Sequence, residues 1–122
     1  MSRLYALRGA TTVDADERSA ILAATDELMR ELLDRNGLAA EDLVSCLFTL
    51  TPDLHAEFPA VAAREMGLSG VPLMCARELD VPGAMERVIR VMVHCYLPPG
   101  GEPQHVYLRA ARGLRLDIEG AQ

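Results

Sequence analysis

The sequence predicts a single α/β (α+β) domain, a mixed sheet of about five strands with one long and one short helix. Three observations carry that reading. Residues 43–50, LVSCLFTL, are a nearly continuous apolar run of strand length and read as a central strand. In residues 87–96, RVIRVMVHCY, Ile89, Val91, Val93 and Cys95 alternate on one side, and four β-branched residues favour a strand over the helix that the pattern also allows. Between Glu17 and Arg35 apolar residues return with helical period. Half of the 122 residues are hydrophobic, enough for one core.

The remaining elements follow in chain order. Residues 3–11, RLYALRGAT, read as a strand with Leu4, Ala6 and Arg8 on one face and Tyr5 and Leu7 on the other. An arginine at a strand end ordinarily snorkels to solvent, so Arg8 carries two readings. Asp14 and Glu17 form a capping-box pattern before the long helix, and Gly37 ends it. Its buried stripe is Ile21, Thr25, Leu28 and Leu32, with Leu22, Met29 and Leu33 alongside. Residues 58–66, FPAVAAREM, read as a short helix with Pro59 near its first position and Arg64 near its end, where a cation also suits the helix dipole. VPLMCAR is the third strand, LPPGGEPQ a loop, HVYLR a last short strand with Tyr107, and AARGLR a final helical turn reaching Arg115. Residues 1–116 are expected to form the domain, with 117–122 as a loose tail.

Composition excludes several functions. A net charge of −6 and only five aromatic residues argue against nucleic acid. No apolar run approaches a membrane span, and the N-terminal stretch lacks the apolar centre and cleavage site of a signal peptide. Cys46, Cys75 and Cys95 are odd in number and lack metal-ligand spacing, which suggests a reduced, cytoplasmic compartment. All twelve basic residues are arginine. Without lysine there is no Schiff base and no P-loop lysine, and a side-chain cation that holds an anion is a planar guanidinium.

The stretch 71–90 holds Cys75, Glu78 and Arg90 among residues that are largely apolar. Cys75 and Glu78 differ by three, so a regular strand cannot place them on one face; a turn after Arg77 would let them converge. Arg90 falls between Val88 and Met92, a charge that needs either a partner or an anion. His55, His94 and His105 show no metal spacing, and nothing nominates an activator for Cys75. A cation-rich site without metal or base suits anion positioning and charge stabilisation. On these grounds the chain binds a small dicarboxylate-like anion, or Arg8, Arg90 and Glu78 form an internal salt-bridge network.

Five blocks, RGATTV at 8–13, TPDLHAEFPA at 51–60, VPLMCARELDVPG at 71–83, IRVMV at 89–93 and HVYL at 105–108, resemble monofunctional chorismate mutases of the bacterial AroH class in order and spacing. The resemblance implies a homotrimeric pseudo-α/β barrel with sites between subunits, chorismate as substrate, prephenate as product on the route to phenylalanine and tyrosine, and no cofactor or metal. It implies that Arg8 and Tyr107 bind carboxylates, that Arg90 lies beside the ether oxygen and a carboxylate, and that Glu78 accepts a hydrogen bond from the ring hydroxyl with Cys75 close by. Phe58 and Arg64 of a neighbouring subunit would form a wall and an entrance, with Ala60, Leu73 and Met74 also lining the site and Arg115 at its mouth. The chain departs from the family at Val61, where a lysine is common, and at Met74, where a threonine is common. A catalytically inactive module that binds an aromatic-pathway acid is the competing reading.

Overall fold

The computed structural model describes residues 2–114, so Arg115 and the expected tail lie outside the described residues. Five strands, β1 (Arg3–Thr12), β2 (Leu43–Leu50), β3 (Leu73–Arg77), β4 (Val88–Leu97) and β5 (Val106–Tyr107), form one mixed sheet in the order β3-β2-β4-β1-β5. β4 runs antiparallel to both β1 and β2, while β3 is parallel to β2 and β5 to β1. Helix α1 (Arg18–Asn36) and the one-turn helix α2 (Ala60–Ala63) make the two connections that parallel strands require.

Alternation decides which face is buried. Ile89, Val91, Val93 and Cys95 of β4 are buried, as are Leu7, Cys46 and Phe48 of its neighbours. Against them α1 lays Ile21, Ala24, Thr25, Leu28, Met29 and Leu32, the stripe that the period predicts. The buried Thr25 hydroxyl is satisfied by donating to the Ile21 carbonyl at 2.8 Å. The helix approaches β1 so closely that a Cβ on Gly9 would lie 2.8 Å from Leu32 Cδ1 and 3.0 Å from Val91 Cγ1. Both helices share this face. The helices among the described residues leave the opposite face largely open, and it exposes Leu4, Leu47, Met74, Met92 and Tyr96.

Two boundary expectations are corrected. The capping box of Asp14 and Glu17 does not form: Glu17 occupies the cap position without a side-chain hydrogen bond. The acidic residue in use is Asp16, whose Oδ1 accepts the backbone N–H groups of His55 and Ala56, both at 2.9 Å, and ties the segment before α2 to the start of α1. The short helix expected over 58–66 begins at Ala60 with Pro59 at its cap, and after Ala63 it widens into a looser turn, Arg64–Leu68, that ends through Gly67 at φ 101°. At the other end of α1 the expectation holds, with Gly37 left-handed at φ 61°.

Candidate active site

Strand register assembles the polar groups. Tyr107 pairs with Ala10, Ala10 with Arg90, Arg90 with Thr49, and Thr49 with Ala76, a single row across all five strands. Paired residues share a face, so this row lies on the open side of the sheet. The adjacent row is Arg8, Met92, Leu47 and Met74. Between the rows lies an open cavity of about 450 Å³ lined by Arg8, Leu47, Thr49, Arg90, Met92 and Tyr107. Two arginines thus share one apolar-floored hollow, a setting in which an anion would be drawn by charge and fixed by guanidinium geometry.

Glu78 joins from the edge. β3 ends at Arg77 and the chain turns, with the Glu78 N–H donating to the Leu50 carbonyl at 2.9 Å. Its carboxylate then receives Arg90 Nε at 3.0 Å and 3.1 Å and the Thr49 hydroxyl at 2.6 Å. Among the described residues the contact is made through Nε, which leaves the terminal amines of Arg90 for another anion. The internal-network reading is therefore half met: Arg90 and Glu78 pair, but Arg8 is exposed and stands outside the ion pairs among the described residues. Its backbone N–H donates to His105 Nδ1 at 3.0 Å, tying β1 to the segment that leads into Tyr107.

The turn that delivers Glu78 does not bring Cys75 with it. Cys75 pairs with Phe48 and Leu73 with Cys46, and both partners are buried on the helix face, so Cys75 and Leu73 face the helices. Cys75 shares a cavity of about 370 Å³ with Leu54, His55 and Phe58, the last exposed over 64% of its surface. Burial pushes the Cys75 thiol up from its ordinary value, while a hydrogen bond from the Ala60 backbone and the nearby Arg64 charge pull less strongly the other way. A raised thiol is a poor nucleophile at neutral pH. Ala60 itself is buried, and Arg64 is exposed at the end of α2. Within one chain, then, the predicted residues form two sets on opposite faces: Arg8, Glu78, Arg90 and Tyr107, with Met74 in the neighbouring row, and Phe58, Ala60, Arg64, Leu73 and Cys75. Alternation along β3 turns Cys75 to the helix face, whereas the turn after Arg77 carries Glu78 to Thr49 and Arg90.

A family model for type I chorismate mutase matches residues 4–118. The chain belongs to the type I chorismate mutase family. Among curated relatives, the chorismate mutase AroH of Thermus thermophilus is 48% identical over 118 residues, spanning 95% of this chain and 97% of its own. That of Bacillus subtilis is 42% identical over 114 residues, 92% of this chain and 90% of its own. A solved chorismate mutase from Clostridium thermocellum superposes with a TM-score of 0.85 at 45% identity, covering 89% of this chain and 98% of that one.

For a chorismate mutase the absence of an evident base or nucleophile is no puzzle, since the rearrangement needs neither. Among the described residues no group of three or more histidines, cysteines or carboxylates is placed to hold a metal ion. Sequence reading missed Thr49, which lines the cavity and contacts Glu78 directly. Its signal was a hydroxyl inside the apolar run 43–50, on the side opposite Phe48; only register reveals that Arg90 lies beside it.

Proposed function

We propose that the chain converts chorismate to prephenate in aromatic amino-acid biosynthesis, at sites formed where two copies of it meet in a homotrimer in the cytoplasm. The observation that carries this reading is the row in which Arg90, held at Nε by Glu78, lines one hollow with Arg8 and Tyr107. Chorismate has two carboxylates, a ring hydroxyl and an ether linking the ring to its enolpyruvyl arm. In the rearrangement the C–O bond breaks as a C–C bond forms within one molecule, with no proton transferred and no covalent intermediate.

The protein's work is therefore orientation and electrostatics. Arg8 and Tyr107 hold carboxylates, and this draws the arm over the ring, so that an otherwise rare conformer becomes the bound one. The free amines of Arg90 meet the ether oxygen as negative charge grows on it, an interaction stronger in the transition state than in the ground state. Glu78 accepts the ring hydroxyl and keeps Arg90 in place. The second set, Phe58, Ala60, Arg64, Leu73 and Cys75, belongs to the neighbouring copy, because in its own chain it faces the other side of the sheet. The open face, where Leu4, Leu47, Met92 and Tyr96 are exposed, supports association, since exposed apolar residues gathered on one face favour a partner. No helix among the described residues is long and apolar enough to cross a membrane.

The test is the loss of chorismate absorbance on adding purified protein, with and without EDTA. Turnover indifferent to EDTA is the expected result. Ligand-dependent thermal stabilisation without turnover would overturn the reading in favour of a binding module.

A further inference from the structure

Glu78 lies one residue past the end of β3, in an irregular segment that runs to residue 87, and strand pairing does not hold its side chain. Its carboxylate nevertheless has a defined place, between Arg90 Nε and the hydroxyl of Thr49. Thr49 is well suited to fix it. It sits on β2, hydrogen-bonded to neighbours on both sides, opposite Arg90 on β4 and Ala76 on β3. A β-branched side chain on such a strand is stiff about χ1, so its hydroxyl is a rigid donor. The 2.6 Å separation falls in the range of a charge-assisted O–H···O bond.

We propose that Thr49 is a positioning residue for the rearrangement, acting through Glu78 on Arg90; this rests on the chorismate mutase reading above. The hydroxyl pins Oε2, the carboxylate then holds Nε, and the guanidinium plane is fixed with its terminal amines toward the hollow. Without the hydroxyl the carboxylate turns about its own bonds, and the amines lose the alignment that the developing charge requires. Capture of substrate carboxylates by Arg8 and Tyr107 is left intact, and only the Glu78 contact to the ring hydroxyl weakens in the ground state, so the loss falls mainly on kcat with a smaller change in KM.

Steady-state kinetics on three variants tests this. Thr49→Val keeps the branched shape of the side chain and removes the donor; kcat is expected to fall roughly 10-fold with KM within about 3-fold of the parent value. Thr49→Ser, which restores the donor, is expected within about 2-fold of the parent in both constants. Thr49→Ala supplies a second hydroxyl-free form that cannot overpack, in case the valine disturbs folding. Unchanged kcat in the hydroxyl-free variants of an active protein would overturn the assignment alone, as would a serine variant as impaired as the valine one, which marks a packing role. A parent protein without chorismate turnover would overturn the function itself.

Discussion

At the scale of single residues, the site depends on where one guanidinium is held. Arg90 stands on a strand whose adjoining positions are apolar, is about half-buried, and among the described residues is anchored through Nε. Arg90→Ala is expected to cost at least roughly 10²–10³ in kcat, by analogy with losing one donor to a developing oxyanion. Arg90→Lys is not expected to rescue it, because a lysine ammonium cannot bond Glu78 through one nitrogen and offer two others in the same plane. Turnover of Arg90→Ala within a few-fold of the parent would remove Arg90 from the centre of the chemistry. Charged residues were the part of the site most readable from the sequence, since a charge in an apolar run needs a reason. Cys75 was harder to read: a spacing of three keeps it off the face of Glu78 in a regular strand, and only the register of β3 shows that it points to the helix side while the turn after Arg77 carries the carboxylate to Arg90. Thr49 was invisible because a threonine inside a strand is ordinary until its partner across the sheet is known.

At the scale of elements, alternation, continuous apolar runs and helical period marked the described strands and the long helix, because burial leaves such patterns in the sequence. The ends were less legible. The capping-box pattern was genuine as spacing, but Asp16 is drawn to the backbone of His55 and Ala56, a contact across 39 residues that local pattern cannot contain. The His55 and Ala56 backbone bonds hold the Asp16 carboxyl below its usual value. The contact of α1 with β1 makes a sharper prediction. Gly9→Ala would bring a methyl group against Leu32, Val91 and Leu28, and overpacking of this kind costs about 1–3 kcal/mol, read as a lower urea midpoint with an unchanged slope. The buried β2 strand adds a pH dependence. Burial, and then the neighbouring Cys95, push the Cys46 thiol up to about 11 from 9.0. The folded state thus favours the neutral thiol, and its contribution is whole below about pH 9 and is lost as pH rises toward about 11. Urea midpoints taken across that window should fall for the parent chain, and less for Cys46→Ala relative to its own neutral-pH value. An equal fall in both would assign the alkaline loss elsewhere.

At the scale of the whole molecule, the proposed site draws on two sets of residues that a single copy holds on opposite faces of its sheet. One set looks out from the open face of the sheet, and the other lies on the helix side at the β3 edge. Two unlike surfaces that must meet make a head-to-tail contact, and such a contact closes only as a ring. In the homotrimer proposed above, every site would take Arg8, Glu78, Arg90 and Tyr107 from one copy and Phe58, Arg64 and Cys75 from the next. Complementation between damaged chains follows. A chain carrying Arg90→Ala and a chain carrying Phe58→Ala with Arg64→Ala are each expected to be impaired at all three of their sites. When the two are unfolded and refolded together in equal amounts, each mixed ring contains one site with both halves intact. Random assembly then restores about a quarter of all sites. Activity of the co-refolded mixture should therefore rise well above the average of the two parents refolded apart. A mixture that never exceeds that average, while sedimenting as mixed trimers, would mean that each chain builds its site alone.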